Sequence, residues 1–320
     1  MNSLNTALIG YTGFVGQNLK AQYQFNHLYN SQNYRDIEDK SFDLVVCSGI
    51  QASMWLANNS PADDWQNIQA LLDTLRTIKA NKFVLISSIA IYHHPVKDVY
   101  EDTHSPEINT PYGFHRYRAE EEIKELFENH LIVRLPALFG PGLKKNFIYD
   151  LLNRAPSFMP SSKFHELTNQ LTNSIDRDIL SSSYQKQDND RFSLKETPHS
   201  KLYCDLLSVL EKLNFTSLNF TDSRSQYQFY DLKNLWSDIE QALENNLSAL
   251  NLSSTPLTAQ EIAKEICEID FKHQISDKEP FFYDMKSRHA KLWHKEKDYL
   301  YSKEETLNNL QNFFKQEKIS

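Results

Sequence analysis

The sequence predicts an α/β fold, a Rossmann-like doubly wound parallel sheet with a smaller C-terminal substrate-binding part. Three observations carry the prediction: apolar runs without polar alternation recur along the first half, amphipathic helical segments separate them, and the first run opens into a glycine turn. Strands that are apolar on both faces belong in a sheet covered by helices on both sides. Strand–helix alternation then selects parallel pairing through right-handed crossovers.

The first run, Thr6-Ala7-Leu8-Ile9, leads directly into Gly10-Tyr11-Thr12-Gly13-Phe14-Val15-Gly16, and Leu19 continues at helical spacing. His27-Leu28-Tyr29 reads as the second strand. The segment 30–42 is too short for a full helix–strand unit, so one sheet element is expected to be abbreviated. Phe42-Asp43-Leu44-Val45-Val46-Cys47 and Lys82-Phe83-Val84-Leu85-Ile86 are buried strands, and residues 63–79 between them place Ile68, Leu71, Leu72, Leu75 and Ile78 at helical spacing. A helix over 119–127 precedes the strand Leu131-Ile132-Val133. Past Pro141 the chain turns polar and rich in serine and asparagine through about residue 225. This stretch reads as an insertion with some helix, for example over 201–213. Order returns with a helix over 232–245, a strand over 247–252, a helix over 258–269 and a last helix over 304–314. The expected organisation is a dinucleotide-binding part over 1–150, an insertion with substrate-binding elements over 151–225, and returning sheet and helices over 226–320.

Composition narrows the function classes. Of 320 residues 40% are hydrophobic and 24% charged, the polar end of ordinary globular composition. A net charge of -8 and the lack of a long Lys/Arg block argue against nucleic acid or an anionic membrane as partner, since both reward phosphate neutralisation. No apolar run approaches the roughly 18 residues of a membrane span, and residues 4–9 read as a strand rather than a signal peptide. A cytoplasmic protein acting on a small-molecule substrate is expected, and a homodimer stays open. Cys47, Cys204 and Cys267 form no CxxC pair and read as reduced thiols, not a disulfide framework or zinc site. His93-His94 lacks a third ligand at useful spacing, so no metal is expected.

The placement of the glycine turn, after a strand and before a helix, gives it meaning. Gly10 permits the tight turn, Gly13 admits a pyrophosphate to the backbone, and Gly16 lets the helix sit close to the strand. Free N–H groups at the helix start attract the anion. Thr12, Phe14 and Val15 fall in the same cradle. No carboxylate ends the second strand, so a 2′-phosphate is not repelled, and Asn30, Ser31 or Arg35 can serve it. The cofactor reads as NAD or NADP, with a lean to NADP.

With these residues the chain resembles the NAD-dependent epimerase/dehydratase family of extended short-chain dehydrogenases. The spacing Gly-x-x-Gly-x-x-Gly is theirs. Leu85-Ile86-Ser87-Ser88-Ile89-Ala90-Ile91-Tyr92 is similar to the family strand bearing the catalytic Ser or Thr, with Ser88 on that position. Pro111-Tyr112-Gly113-Phe114-His115-Arg116 is similar to the Tyr-x-x-x-Lys helix. The resemblance places Cys47-Ser48-Gly49 where the family's fourth strand meets the cofactor, and Arg134-Leu135-Pro136-Ala137-Leu138-Phe139-Gly140-Pro141-Gly142 along the pocket. Cofactor contacts are therefore expected at Ser48, Gly49 and Pro136 as well. The later stretch 230–269 resembles the family too, and coverage between 150 and 226 is poor.

The resemblance implies a sugar or nucleotide-sugar oxidoreductase or epimerase. Tyr112 would move a proton at a substrate hydroxyl or carbonyl, Ser88 would bond the same oxygen, and a neighbouring cation would draw the phenol below its ordinary value near 10. Two departures bear on this. The family lysine is Arg116, planar and never deprotonated, able to bond ribose hydroxyls but not to join a proton relay as an amine. Ile89-Ala90 stand where a dehydratase carries Asp-Glu, which disfavours water elimination. Lys144 (with Lys145), Asn146 and Arg224 are candidate contacts to a substrate phosphate. Trp236 and Phe229 read as core. The rival reading is a dinucleotide-binding sensor or scaffold of the same fold, without turnover.

Overall fold

Each apolar run of the first half becomes a strand of one sheet. The computed structural model describes residues 4–187, 190–195, 200–276, 278–295 and 297–317. In chain order the first elements are β1 (Thr6–Ile9), α1 (Phe14–Gln22), β2 (His27–Tyr29), β3 (Ser41–Cys47), α2 (Met54–Asn59), α3 (Pro61–Leu75), β4 (Lys79–Ser88), β5 (Val96–Val99), α4 (Pro111–Leu126), β6 (His130–Leu135) and β7 (Ala137–Phe139). Next come α5 (Phe147–Leu152), β8 (Phe158–Pro160), α6 (Ser161–Gln170), α7 (Ser174–Ser183), β9 (Tyr184–Gln187), β10 (Arg191–Leu194) and α8 (Lys201–Lys212). The chain ends with β11 (Gln226–Tyr227), β12 (Phe229–Asp231), α9 (Leu235–Glu244), β13 (Ala249–Asn251), β14 (Leu257–Thr258), α10 (Ala259–Cys267), β15 (Tyr283–Met285) and α11 (Lys303–Glu317).

The chain forms two compact units. The first comprises Met1–Leu143, Gln226–Leu257 and Phe281–Ser320, and the second Lys144–Ser225 and Thr258–Pro280. The central sheet of the first unit runs β13-β6-β4-β3-β1-β2, parallel throughout. Strand order reverses at β1, which places the ligand crevice of such sheets at the carboxyl ends of β1 and β3. One core, with Leu8, Val46, Val84 and Val133, packs beneath α1 and α9, and the other, with Ala7, Val45, Phe83 and Ile132, packs beneath α3 and α4. The alternation of strand residues between these two cores explains the absence of polar positions in the strands.

The short 30–42 segment holds only a single turn of 3-10 helix, Tyr34–Ile37. Consequently Cys47-Ser48-Gly49 ends the third strand of this chain, not a fourth. The helix expected over 63–79 starts earlier and ends at Leu75, because Pro61 favours a helix start and the chain is already extended from Lys79 to pair with Ser41 of β3. Trp236 packs on Tyr23 at 4.0 Å between centroids and Phe229 is buried, both core residues as expected.

Within the second unit the described residues of the polar stretch form strands and helices around a core of their own. Strands β8, β10 and β9 form an antiparallel sheet, and Phe164, Leu180, Phe192, Leu206 and Leu210 share a core with α6, α7 and α8. Sequence periodicity finds only the helices near 201–213 and 258–269 in this unit, because the other elements are short and bury three side chains or fewer each.

Candidate active site

The glycine turn has the geometry its spacing predicts. Gly10 takes φ +87°, a conformation that L side chains rarely adopt, and a Cβ there would sit 2.6 Å from the Ser48 carbonyl. A Cβ on Gly16 would lie 2.1 Å from the Gly10 carbonyl oxygen, so this glycine sets how closely α1 approaches β1. At Gly13 a Cβ would meet only the Gly10 oxygen, at 3.4 Å. The protein therefore leaves space at Gly13, above a helix start that has no side-chain cap and whose first N–H groups have no intrahelical acceptor. Gly10, Thr12, Gly13, Phe14, Val15 and Gly16 thus form one cradle fitted to an anion. The Ser48 hydroxyl donates to the Ile9 carbonyl at 3.0 Å, which fixes the β3 end beside the turn, and Gly49 follows it. Pro136 is buried between β6 and β7.

Beside the turn lies a cavity of about 420 Å³ lined by Tyr11, Thr12, Gln17, Lys20 and Ala21. Asn30 reaches this edge by donating from its side-chain amide to the Tyr11 hydroxyl at 3.3 Å, while its carbonyl accepts from the Gln32 N–H. Ser31 is exposed next to it, and Arg35 lies over Tyr34. Lys20, which the sequence did not single out, holds its ammonium 5.4 Å from the Tyr11 ring centroid.

Tyr112 and Ser88 come together because α4 approaches the end of β4 unusually closely. A Cβ on Gly113 would lie 2.2 Å from the Ala90 carbonyl oxygen and 2.6 Å from the Glu107 side chain, so only glycine permits this distance. The helix start is fixed without a side-chain cap of its own: Pro111 opens it, the Tyr112 N–H donates to Asn58 Oδ1 at 3.0 Å, and Glu107 Oε1 accepts from the Asn109 and Thr110 N–H groups. Ser88 Oγ accepts from the Ala90 N–H at 3.1 Å and lies near enough to the Tyr112 phenol to pull its pKa down. The ring packs between Ala57 and Ala90.

Arg116 lies one turn further along α4, buried, with its guanidinium carbon 4.0 Å from the Tyr112 ring centroid. Its Nη1 donates to Asp64 Oδ2 at 2.6 Å and to the Tyr112 carbonyl at 3.4 Å, and its Nη2 donates to Asp64 Oδ1 at 3.0 Å and to the Gln51 carbonyl. Nε alone is buried without a partner. This corrects the expectation that Arg116 would offer its fork to a ribose, because the terminal nitrogens are already engaged within the protein. It also corrects the expected direction at Tyr112. Burial pushes the phenol above its ordinary value and outweighs the pull of Arg116 and Ser88 in the other direction, with a smaller upward push from the Asp64 charge.

The same helix is tied down at its other end. Arg134 of β6 and Glu120 of α4 form a buried pair at 2.7 Å, and Ser87 donates to Glu120. Breaking either buried pair by removing one partner costs about 3–5 kcal/mol, so α4 is held against β4 and β6 by charge as well as packing. Asp64, Asn58 and Glu107 were not visible as site residues in the sequence.

The second unit carries the remaining candidates. Asn146 adopts φ 109° and caps α5, its Oδ1 accepting from the Ile148 and Tyr149 N–H groups, and Lys144 is exposed two residues before it. Arg224 directs Nε and Nη2 at Asp222, at 2.9 and 2.8 Å, and this holds the Asp222 carboxyl well below its usual range. Arg224 also lines a polar cavity of about 640 Å³ with Gln274, Ile275, Ser276, Lys278 and Glu279. His93 lies 3.6 Å from Glu107, and His94 packs against Tyr283. Among the described residues no group of His, Cys, Asp and Glu is arranged to hold a metal ion, and no helix is long and apolar enough to cross a membrane.

Several solved structures share the architecture across nearly the whole chain. A dTDP-4-dehydrorhamnose reductase from Bacillus anthracis, in complex with NADP, matches with a TM-score of 0.62 at 13% identity, covering 99% of each chain. A UDP-N-acetylglucosamine 4-epimerase from Methanobrevibacter ruminantium, in complex with UDP-N-acetylmuramic acid, matches at 0.58 and 16% identity, over 100% of this chain and 99% of its own. A UDP-glucuronic acid 4-epimerase from Bacillus cereus, with NAD and a fluorinated UDP-sugar, matches at 0.56 and 14% identity, over 97% and 99%. Likeness at such identities establishes the fold. No curated protein sequence matches the chain significantly. The family model of the NAD dependent epimerase/dehydratases matches residues 7–171, more than half of the chain and the part that holds the glycine turn, Ser88, Tyr112 and Arg116, and the chain therefore belongs to that family of enzymes.

Proposed function

We propose that the protein is an NAD(P)-dependent reductase or epimerase acting on a hydroxyl or carbonyl of a sugar, carried as a nucleotide sugar. The observation that carries this reading is the placement of Ser88 and the Tyr112 phenol next to one another at the end of β4, in the same sheet whose β1 end forms the glycine cradle. A phenol and a hydroxyl converging on one point are the groups needed to bind a carbonyl oxygen and exchange a proton with it.

The open space at Gly13 and the uncapped start of α1 fit the pyrophosphate of a dinucleotide, with Gly10, Thr12, Phe14, Val15 and Gly16 around it and Ser48, Gly49 and Pro136 at neighbouring strand ends. When bound, that cofactor supplies or accepts hydride. The chain's own groups orient the substrate oxygen through Ser88, hold or release its proton at the Tyr112 oxygen, and exclude water through the buried walls around Ala57 and Ala90. Arg224 and Lys278 line the polar cavity of the second unit, cations of the kind that bind phosphate, and Lys144 is exposed in the same unit. The test is cofactor-dependent absorbance change with dTDP- and UDP-sugars, paired with calorimetry of NAD and NADP. Binding of dinucleotide without turnover of any of these sugars would replace this reading with that of a sensor.

Lys20, Asn30 and Ser31 bound the edge where an adenosine 2′-phosphate would lie, and Asn30-Ser31 rather than a carboxylate follow β2 in sequence. Lys20→Ala is expected to weaken NADP about tenfold, ~1.4 kcal/mol, and to leave NAD unchanged. Equal losses for the two cofactors in calorimetry would remove Lys20 from the 2′-phosphate site.

Ile89 and Ala90 are buried and bring no carboxylate to the residues after Ser88. No 4-keto-6-deoxy sugar is expected from a nucleotide hexose incubated with the protein and NAD. Its appearance by mass spectrometry would contradict the assignment, because elimination needs an acid and a base at the neighbouring carbons.

A further inference from the structure

The Asp64–Arg116 pair does more than join two helices. We infer that Asp64 is a positioning residue: by closing a two-point ion pair with Arg116 it screens that cation from the Tyr112 phenol, which keeps the phenol a proton donor and directs the site to carbonyl reduction. The inference rests on the reading of Tyr112 given above.

Geometry is the basis. The guanidinium sits 4.0 Å from the Tyr112 ring, near enough to favour tyrosinate strongly if its charge were uncompensated. Both Asp64 oxygens face it, at 2.6 and 3.0 Å, and both residues are about nineteen-twentieths buried, at 4% and 6% exposure. At such a separation in a poorly hydrated site, the two charges act on the ring as a short dipole whose field falls off faster than that of a single ion. The other terminal N–H groups of Arg116 are directed to the Gln51 and Tyr112 carbonyls, so the guanidinium cannot swing toward the phenol oxygen without losing several hydrogen bonds together. On the far side of Asp64, His115 Nδ1 lies 2.8 Å from Oδ2 and fixes the carboxylate plane.

The other elements around the phenol bring little charge. The helix α2, which contributes Ala57 and Asn58, has no titratable residue in its span, and neither has the turn Ile89–Ile91 after Ser88. From β15, Tyr283 stands within electrostatic reach of Tyr112, itself pushed up to about 12 by burial and by the neighbouring phenols. Glu107, before α4, is engaged with backbone N–H groups. Asp64 and Arg116 are therefore the charged groups that act on Tyr112 in addition to burial, which is the largest cause of its raised value.

A phenol that stays protonated at neutral pH is suited to the reductive half of the chemistry. The substrate carbonyl carbon gains hydride from a reduced nicotinamide cofactor, which is oxidised by two electrons. The carbonyl π bond breaks, its oxygen takes the Tyr112 proton as the phenol O–H bond breaks, and the tyrosinate regains a proton from solvent. Oxidation of a hydroxyl needs tyrosinate first, and so is expected to rise only at alkaline pH.

The test follows the ionisation of Tyr112 alone. The near-ultraviolet tyrosinate band of the NAD-loaded protein is titrated, and the same titration in a Tyr112→Phe background is subtracted, for the parent, Asp64→Asn and Asp64→Glu. In Asp64→Asn the midpoint is expected to move about one to three pH units toward acid, and in Asp64→Glu to stay near the parent's. With dTDP-4-dehydrorhamnose as probe, the pH at which reduction falls to half should move by the same amount. A loosened fold would only bring the phenol back toward its ordinary value near 10, so a midpoint below that value is the expected result and a midpoint that stops there overturns the inference. A midpoint unchanged or moved toward alkali in Asp64→Asn overturns the inference. If that variant does not fold, Asp64→Asn combined with Arg116→Met decides. Removing both charges of a closed pair leaves the midpoint near the parent's, whereas an alkaline move of a unit or more shows that the cation had reached the phenol unscreened. Absence of turnover in the parent counts against the proposed function and leaves the titration to judge Asp64.

Discussion

Tyr112→Phe is expected to lower kcat by about 10²–10⁴-fold while dinucleotide affinity and thermal stability stay near the parent's. The substitution removes only the phenol oxygen beside Ser88, and the ring keeps its seat with Ala57 and Ala90 and over the Arg116 guanidinium. The Tyr112 N–H to Asn58 bond, which fixes the start of α4, is a backbone contact and survives. Steady-state kinetics on a nucleotide sugar that the parent turns over, with calorimetry of the cofactor, makes the comparison. Turnover at the parent's rate would remove Tyr112 from the chemistry and leave the fold intact, because nothing else in the core depends on that oxygen.

Gly13→Val should lose dinucleotide binding by at least about a hundredfold, ~2.8 kcal/mol, and change the melting temperature by less than ~4 °C. The new Cβ would touch only the Gly10 oxygen, at an ordinary 3.4 Å, so the protein accommodates it and the pyrophosphate does not. Gly16→Ala provides the contrast. Its Cβ would lie 2.1 Å from the same oxygen, forcing α1 away from β1 at a cost of about 1–3 kcal/mol, and it should impair folding and binding together. Unchanged cofactor affinity in Gly13→Val would show that the turn holds no pyrophosphate. If the two variants were equally destabilised, the open space at Gly13 would be the wrong explanation for its glycine.

Much of the first unit was legible before any coordinates. The runs at Thr6–Ile9 and Ser41–Cys47 are apolar at nearly every position, and a strand buried on both faces leaves little alternative. The glycine turn was legible for the same reason: its residues are dictated by contacts between near neighbours in the chain, which spacing records. The second unit was legible only in its helices α8 and α10. Its short elements, such as β8 and α5, bury few side chains each, so no period stands out from the polar background. Asp64 was invisible on different grounds. Two acidic residues in the first turn of a helix, Asp63 and Asp64, are what the helix dipole favours, and nothing local separates the exposed one from the buried one.

The sequence by itself determined the parallel α/β class and marked the glycine turn, Ser88 and Tyr112, because each is recorded by residues whose neighbours lie within one strand–turn–helix unit or within a motif of fixed spacing. Only the tertiary structure decided the electrostatic state of that pair. Arg116 read alone is a cation beside a phenol, and the expected effect is a lowered phenol pKa. Folded, it meets Asp64 from a helix some fifty residues earlier in the chain, and the burial of all three groups reverses the direction. Charges interact through space with a strength set by separation and solvent exclusion, and neither quantity exists until α3 and α4 lie side by side.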